Sequence, residues 1–181
     1  MNQRLFSWLR IVAAAGALLT AGCAGFNASS LQPGVSTLAQ IEAALGAPAM
    51  VWKNPDGSVQ LAYPFGPAGT QTFMVFVGAD AKLERVEGVL NETHFRLVQP
   101  GMTKEQVVRI LGPSGALWTQ TFPRTNTVAW TWLYCAPGNF QNYFNVMFDT
   151  GTGLVRSTGQ SPVMVGRLGV TPSCAPMVLS F

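Results

Sequence analysis

The chain has 181 residues, with 11 Lys and Arg, 8 Asp and Glu and 3 Cys, enough for one domain or two very small ones. Only 10% of residues are charged while 48% are hydrophobic, so uncharged polar groups must cover much of the surface, which suits a partner-facing protein. The formal charge of +3 rests largely on Arg4 and Arg10; without them nine basic residues face eight acidic ones, and no basic stripe remains to bind nucleic acid.

Arg4 and Arg10 supply a positive start, and Ile11 to Leu19 form a short apolar run of Ala, Val, Leu and Gly. A spanning helix needs roughly 20 apolar residues, so residues 1–22 read as a secretory signal. The run leads into LLTAGC, Leu18 to Cys23. Small Ala21 and Gly22 before a cysteine match the lipobox of bacterial lipoprotein processing, with Thr20 where Leu is commonest. On this reading Cys23 becomes the acylated first residue of the processed chain. Each buried CH2 is worth about 0.8 kcal/mol, so its acyl chains, palmitate among them, form a lasting anchor. By the sorting rule for such lipoproteins, Asp after the cysteine means retention in the inner membrane. Ala24 instead directs the chain to the outer membrane, facing the periplasm. The bland alternative is an ordinary signal peptide followed by a chance cysteine.

Residues 23–32 form the lipidated linker, and residues 33–90 a first module. Pro33-Gly34 turns the chain, and Thr37 with Gln40 three places on makes a capping box that starts a helix. Ile41 and Leu45 share the buried face of that helix. Gly46 stops it, with Pro48 close behind. The pattern then changes to period two. Val59, Leu61, Tyr63 and Phe65 alternate on one strand, Phe73, Val75 and Val77 on a second, and Leu83 to Val89 make a third. GPAG and GAD separate them as hairpin turns.

Residues 91–159 repeat the plan. Glu92 to Val98 predict a short helix with Phe95 and Val98 inward, whose counterpart around Ala28 to Leu31 is truncated or frayed in the first module. Pro100-Gly101 turns the chain, and Thr103 with Gln106 makes a second capping box. Met102 and Val107 have the spacing of a hydrophobic staple. Gly112 and Pro113 end the helix. Strands follow at Val128 to Tyr134, Phe144 to Phe148 and Leu154 to Ser157, with APGN and DTGTG as turns. Thr37 falls on Thr103, Gln40 on Gln106, Ile41 on Val107, Leu45 on Leu111, Gly46 on Gly112 and Trp52 on Trp118, all at one offset. A fixed-period match of this kind outranks local propensity. The predicted fold is α+β, two tandem copies of a helix-helix-three-stranded antiparallel sheet.

The tail, residues 160–181, lies outside both copies, with Pro, Gly and Val interspersed. It closes on MVLSF, and a final Phe is a feature of outer-membrane barrel strands. A barrel needs at least eight strands of 9 to 11 residues, so the ending reads as coincidence. After Cys23 only Cys135 and Cys174 remain. In an oxidising compartment a leftover pair is expected to be bridged, the alternative being two unpaired thiols. The bridge would close a loop of about 40 residues and stabilise by about 3 to 4 kcal/mol.

Few residues suggest chemistry. His94 is the single histidine, and no Cys, His, Asp and Glu have metal-ligand spacing, so it reads as a solvated helix residue. Gly151 to Gly153 form a hairpin turn rather than a phosphate loop, because they lie between strands and not before a helix. Asp56, Asp80 and Asp149 stand in turn contexts. The reading is a protein without enzymatic activity, cofactor or metal. Trp130 and Trp132 are two apart and share a strand face with Val128 and Tyr134. That face is either core beneath the helix or an exposed platform of Trp130, Trp132 and Tyr134 for a partner, since Trp and Tyr are favoured hot-spot residues. Trp52 and Trp118, just after each helix, read as core.

The run PGMTKEQVVRILGPS, then Trp118, an aromatic strand and YFNVMFDTGTGLV, together with the lipobox, resembles the SmpA/OmlA (BamE-like) family of small outer-membrane lipoproteins. The match is most specific from Gly101 to Ser157 and extends more weakly into the first copy. It implies a two-helix, three-strand fold. It also implies an accessory, non-enzymatic role at the outer membrane, in contact with phospholipid and with partner proteins of the barrel-assembly machinery. Typical members carry one such module. The duplicated arrangement is similar to the secreted beta-lactamase inhibitory proteins, which clasp an enzyme with a concave aromatic sheet. Two functions are therefore expected: non-covalent protein binding in envelope or barrel-protein assembly, or an anchored inhibitor or recognition protein for a periplasmic enzyme.

Overall fold

The computed structural model describes residues 30–65, 69–115, 119–165 and 169–174; Cys23 and Trp118 lie outside them. Two helices begin where the capping boxes stand. Helix α1, Leu38–Leu45, follows Thr37, and helix α3, Lys104–Leu111, follows Thr103. In each, the Thr hydroxyl accepts from the Gln backbone N–H, and the Gln side chain accepts from the Thr N–H at 2.9 Å in α1 and 2.8 Å in α3. Both helices stop at a glycine with positive φ, Gly46 at 82° and Gly112 at 76°, a conformation that disfavours any Cβ. The single-turn helix α2, Glu92–Phe95, is capped by the Asn91 side chain.

Strands β1 (Met50–Lys53), β2 (Val59–Phe65), β3 (Gln71–Val77) and β4 (Leu83–Gly88) form one antiparallel sheet in sequence order. Strands β5 (Gln120–Phe122), β6 (Thr127–Ala136), β7 (Phe140–Asp149) and β8 (Val155–Pro162) form the other. The repeat is visible in the backbone itself. Gly34 N–H donates to the Leu83 carbonyl and Leu83 N–H to that of Ser36, both at 2.7 Å. In the second half, Gly101 and Val155 N–H groups donate to Val155 and Met102 carbonyls, both at 2.8 Å. Each cap is thus tied to the last hairpin of its own sheet, through the bridges Thr37–Lys82 and Thr103–Leu154. A bulge interrupts both sheets at the corresponding place, Phe76/Val77 and Met147/Phe148.

The α+β pair of helix-helix-three-strand modules is corrected by these coordinates. The described chain is mostly β: two four-stranded sheets and three α-helices, one of them a single turn. The extra strands are β1 and β5, short edges that pair through Trp52 opposite Gln60 and Gln120 opposite Ala129. Neither has the alternation that marks a strand in sequence. Residues 32–36 of the first copy make a turn, with Val35 and Ser36 N–H groups donating to the Gln32 carbonyl; α2 has no counterpart among the described residues there. Strand register also moves the internal equivalence, because connections in the second copy are longer. Trp52 corresponds in register to Gln120, not to Trp118.

The elements stack in layers. Ile41 and Leu45 of α1 pack on Leu61, Tyr63, Val75 and Leu83, one face of the first sheet. The opposite face presents Trp52, Ala62 and Met74 to Val108 of α3. The other side of α3, Val107 and Leu111, packs on Trp132, Phe144, Val146 and Phe148 of the second sheet, joined by Phe95 and Val98. Helix α3 therefore lies between the two sheets, and its position 108 explains why. Val108 occupies the place that exposed Glu42 holds in α1, so only α3 has apolar residues on two sides.

Polar contacts fix this junction. Buried Gln60 donates from Nε2 to the Arg109 carbonyl at 2.7 Å, and Arg109 donates from Nη1 to Asn54 Oδ1 at 3.0 Å. Gly112 approaches the first sheet so closely that an added Cβ would lie 2.6 Å from Thr72 Cγ2. The Gly112 carbonyl meanwhile accepts from Trp132 Nε1 at 3.1 Å. No described helix is long and apolar enough to cross a membrane.

Candidate interaction surface

Strand β6 places Trp130, Trp132 and Tyr134 on one face, opposite Val146, Phe144 and Asn142 of β7. That face looks towards α2 and α3. Trp132 and Tyr134 are each 2% exposed, so neither offers surface to a partner. Phe95 stacks on Phe144 with ring centres 4.1 Å apart and meets Tyr134 edge-on at 4.8 Å. The Tyr134 hydroxyl donates to Gln160 Oε1 at 2.6 Å. Burial pushes its phenol up, and the charge of Glu92 adds to this. Trp130 is half-buried, edge-on to Phe148 at 5.0 Å and 5.2 Å from Lys104 Nζ. Of the three aromatics it alone reaches the surface, as a cation–π partner of the helix start.

His94 sits in a polar chain at the edge of the first sheet. Its Nδ1 is 3.0 Å from Asn91 Oδ1 and its Nε2 3.5 Å from Glu87 Oε2. Glu87 also accepts from Arg85 Nε at 2.6 Å, and the Arg85 guanidinium lies 3.6 Å from the centre of the Phe76 ring. The Arg85 hydrogen bond holds the Glu87 carboxyl below its usual value. This chain ties α2 to β4, and His94 also lines a cavity with Asn91, Glu92, Tyr134 and Pro137. Among the described residues no three metal-ligating side chains cluster. Asp149 closes the β7–β8 turn, accepting from the Gly151 and Thr152 N–H groups at 2.9 Å each, which lowers its carboxyl. Tyr63 is buried with no partner for its hydroxyl among the described residues, and desolvation pushes its phenol up to about 12.

The surface feature that does stand out lies at the far end of β6 and β7. In the sequence this end is marked by the two cysteines and the APGN turn. After β8 the chain folds back. Val163 N–H donates to the Gln141 carbonyl at 3.1 Å and Gln141 N–H to that of Pro172 at 2.9 Å. Val165 and Val170 pair with each other, and Ser173 bridges Phe140. A disulfide joins Cys135 to Cys174, with Cα atoms 5.7 Å apart. This corner displays Phe140 (51% exposed), Met164 (67%), Val165 and Val170, beside a cleft lined by Ala136, Pro137, Asn142, Pro162 and Thr171. Exposed Val35, Val51, Leu97 and Phe122 are dispersed over other segments and need no such explanation. A grouped apolar corner does. Its apolar residues are signalled in sequence only by a tail rich in Pro, Gly and Val that fits neither repeat. No protein-family model, curated protein or solved structure matches the chain.

Proposed function

We propose that the chain is an outer-membrane lipoprotein, anchored through Cys23, that works by non-covalent protein binding in envelope or outer-membrane barrel-protein assembly. The observation that carries this reading is the LLTAGC stretch behind a short apolar leader, followed by the GMTKEQVVRILGPS segment that resembles the SmpA/OmlA lipoproteins. Two features of the folded chain support a binding role. One is the apolar corner around Phe140 and Val170, far too exposed for side chains that serve only packing. The other is the disulfide that holds this corner in place, so that little ordering entropy is lost when a partner docks.

The inhibitor alternative rested on an open aromatic sheet. With Trp132 and Tyr134 buried beneath the helices, that platform gives the alternative no support, and the corner is the surface we put forward for binding.

The test is copurification from native envelopes in mild detergent, with the intact chain as bait and Cys23→Ser as control. The expected result is an acylated wild-type chain in the outer-membrane fraction that recovers barrel-assembly proteins in near-stoichiometric amount. Cys23→Ser should leave the membrane fraction. A wild-type chain found unacylated and soluble, or recovered with a periplasmic enzyme instead, would refute the proposal.

A further inference from the structure

Four strands lie at sheet edges, and three of them are guarded. Strands β1 and β5 are four and three residues long, and β4 carries Glu84, Arg85 and Glu87. Short or charged edges resist pairing with other chains. Strand β8 has neither protection from Ser157 to Ser161, where it reads STGQS. Its backbone direction follows from one bond. Val163 N–H donates to the Gln141 carbonyl of β7 at 3.1 Å. Direction alternates along a strand, so Ser161, Gly159 and Ser157 also turn towards β7, while Thr158 and Gln160 turn their N–H and C=O groups outward. Among the described residues no backbone group meets them there. Only the start of this edge is occupied. Val155 N–H donates to the Met102 carbonyl and the Val155 carbonyl accepts from Gly101 N–H, both at 2.8 Å.

The side chains tell the same story. Thr158 and Gln160 lie opposite Val146 and Phe144 and so share the face that carries the core, yet both are exposed. The helices cover this face only as far as β7. Beyond it a groove of about 400 Å³ runs between β8 and the connection from α2 to α3, lined by Phe95, Val98 and Phe144 and by Arg96, Gln99 and Pro100. Two charges at the groove are engaged: Arg156 by Asp149 and Glu92 by Gln160. Arg96 is exposed and joins no ion pair among the described residues.

We infer that β8 takes an extended segment of a partner protein as an added strand, with apolar side chains at alternate positions and one carboxylate for Arg96. Backbone pairing with Thr158 and Gln160 supplies affinity. Every second side chain of the added strand enters the groove over Phe95 and Val98, which supplies selectivity. The open run of five residues matches about 17 Å of extended chain. Arg96, Gln99 and Pro100 wall in the space beside the edge, so it suits a single strand better than a second copy of this sheet with its helices. The inference depends on neither the membrane anchor nor the apolar corner.

The test pans a phage-displayed library of short random peptides on the full processed chain. Peptides alternating apolar and polar residues around an Asp or Glu should be enriched, and their binding should slow hydrogen exchange at the Thr158 and Gln160 N–H groups. Thr158→Pro removes an outward donor at a position like that of Pro162 and is expected to weaken binding about tenfold or more. Arg96→Gln should cost about two- to fivefold. Should Thr158→Pro fail to fold, enriched peptides N-methylated at alternate amides give the same reading on the unaltered chain, again with a loss of about tenfold or more. No enrichment of such peptides, or binding that survives both the proline and the N-methylation, would overturn the inference. A dimer of the bare chain that Thr158→Pro dissolves would assign the edge to a second copy and overturn it as well.

Discussion

Gly46 and Gly112 end their helices with nearly the same backbone, yet their neighbourhoods differ. Nothing lies within 4 Å of a Cβ built on Gly46, whereas one on Gly112 meets Thr72 Cγ2 at 2.6 Å. Both positions carry the strain of a positive φ, about 1 to 3 kcal/mol for a residue with a side chain. Only Gly112 adds overpacking between α3 and the first sheet. Gly112→Ala is therefore expected to lose about 1 to 3 kcal/mol more than Gly46→Ala, measured as the shift in urea midpoint at constant slope. Glu87 makes a prediction of a different kind. Its folded carboxyl titrates below the ordinary 4.5 because Arg85 hydrogen-bonds it. The stabilisation is then fully present above the unfolded value and fades as pH falls through the folded one. Glu87→Gln should lower stability at neutral pH, where the carboxylate's contribution is fully present, and flatten the further loss below pH 4.5, as thermal melts across an acid series would record. These local effects were partly legible. The helix-stopping role of both glycines follows from their place after a capped apolar stripe, but no pattern along the chain announces that Thr72 lies against one of them.

The contrast between α1 and α3 decides how the halves meet. Their capping boxes are interchangeable, but Glu42 in α1 and Val108 in α3 send one helix to the surface and the other between two sheets. Val108→Asp places an unpaired charge against Trp52 and Met74 and is expected to cost about 3 kcal/mol or more. Glu42→Val, at the corresponding place, should stay within about 0.5 kcal/mol. Denaturant titration of the two variants checks both, and similar losses would contradict the layered arrangement. The sheets were less legible than the helices. Strands β2, β3, β6 and β7 show period two because one face of each carries the larger apolar side chains, even though β2 and β3 pack on both faces. Strand β1 has a single buried side chain, Trp52, and β5 has none. An edge strand is specified by backbone pairing with its neighbour, which leaves no mark in a hydrophobic pattern. The aromatic face of β6 was legible as a face. Which side of the sheet the helices would cover depends on α3 and α2 packing from one direction, and alternation says nothing about that.

At the scale of the whole molecule, α3 makes the two copies one cooperative body. Its Val108 completes the core of the first sheet and its Val107 and Leu111 that of the second. Fluorescence and circular dichroism should report one coincident unfolding transition. Two separated transitions would show the copies to be independent. Replacing both Cys135 and Cys174 by Ser should lower stability by about 2 to 4 kcal/mol without splitting that transition, because the disulfide lies at the corner and not at the junction. The corner itself was the least legible part of the molecule. Phe140 falls between the APGN turn and the expected strand from Phe144, and Met164, Val165 and Val170 lie in the tail outside both repeats; only the fold-back and the Cys135–Cys174 bond bring these segments together. The proposed binding role rests on this gathered surface, and one measurement addresses it most directly. A photo-crosslinking residue is placed at Phe140, at Val170 and, as a control, at equally exposed Val35, in the anchored chain within intact cells. The account predicts adducts with a barrel-assembly protein from Phe140 and Val170 and none from Val35. Absence of adducts at both corner positions, or the same adducts at all three, would contradict it.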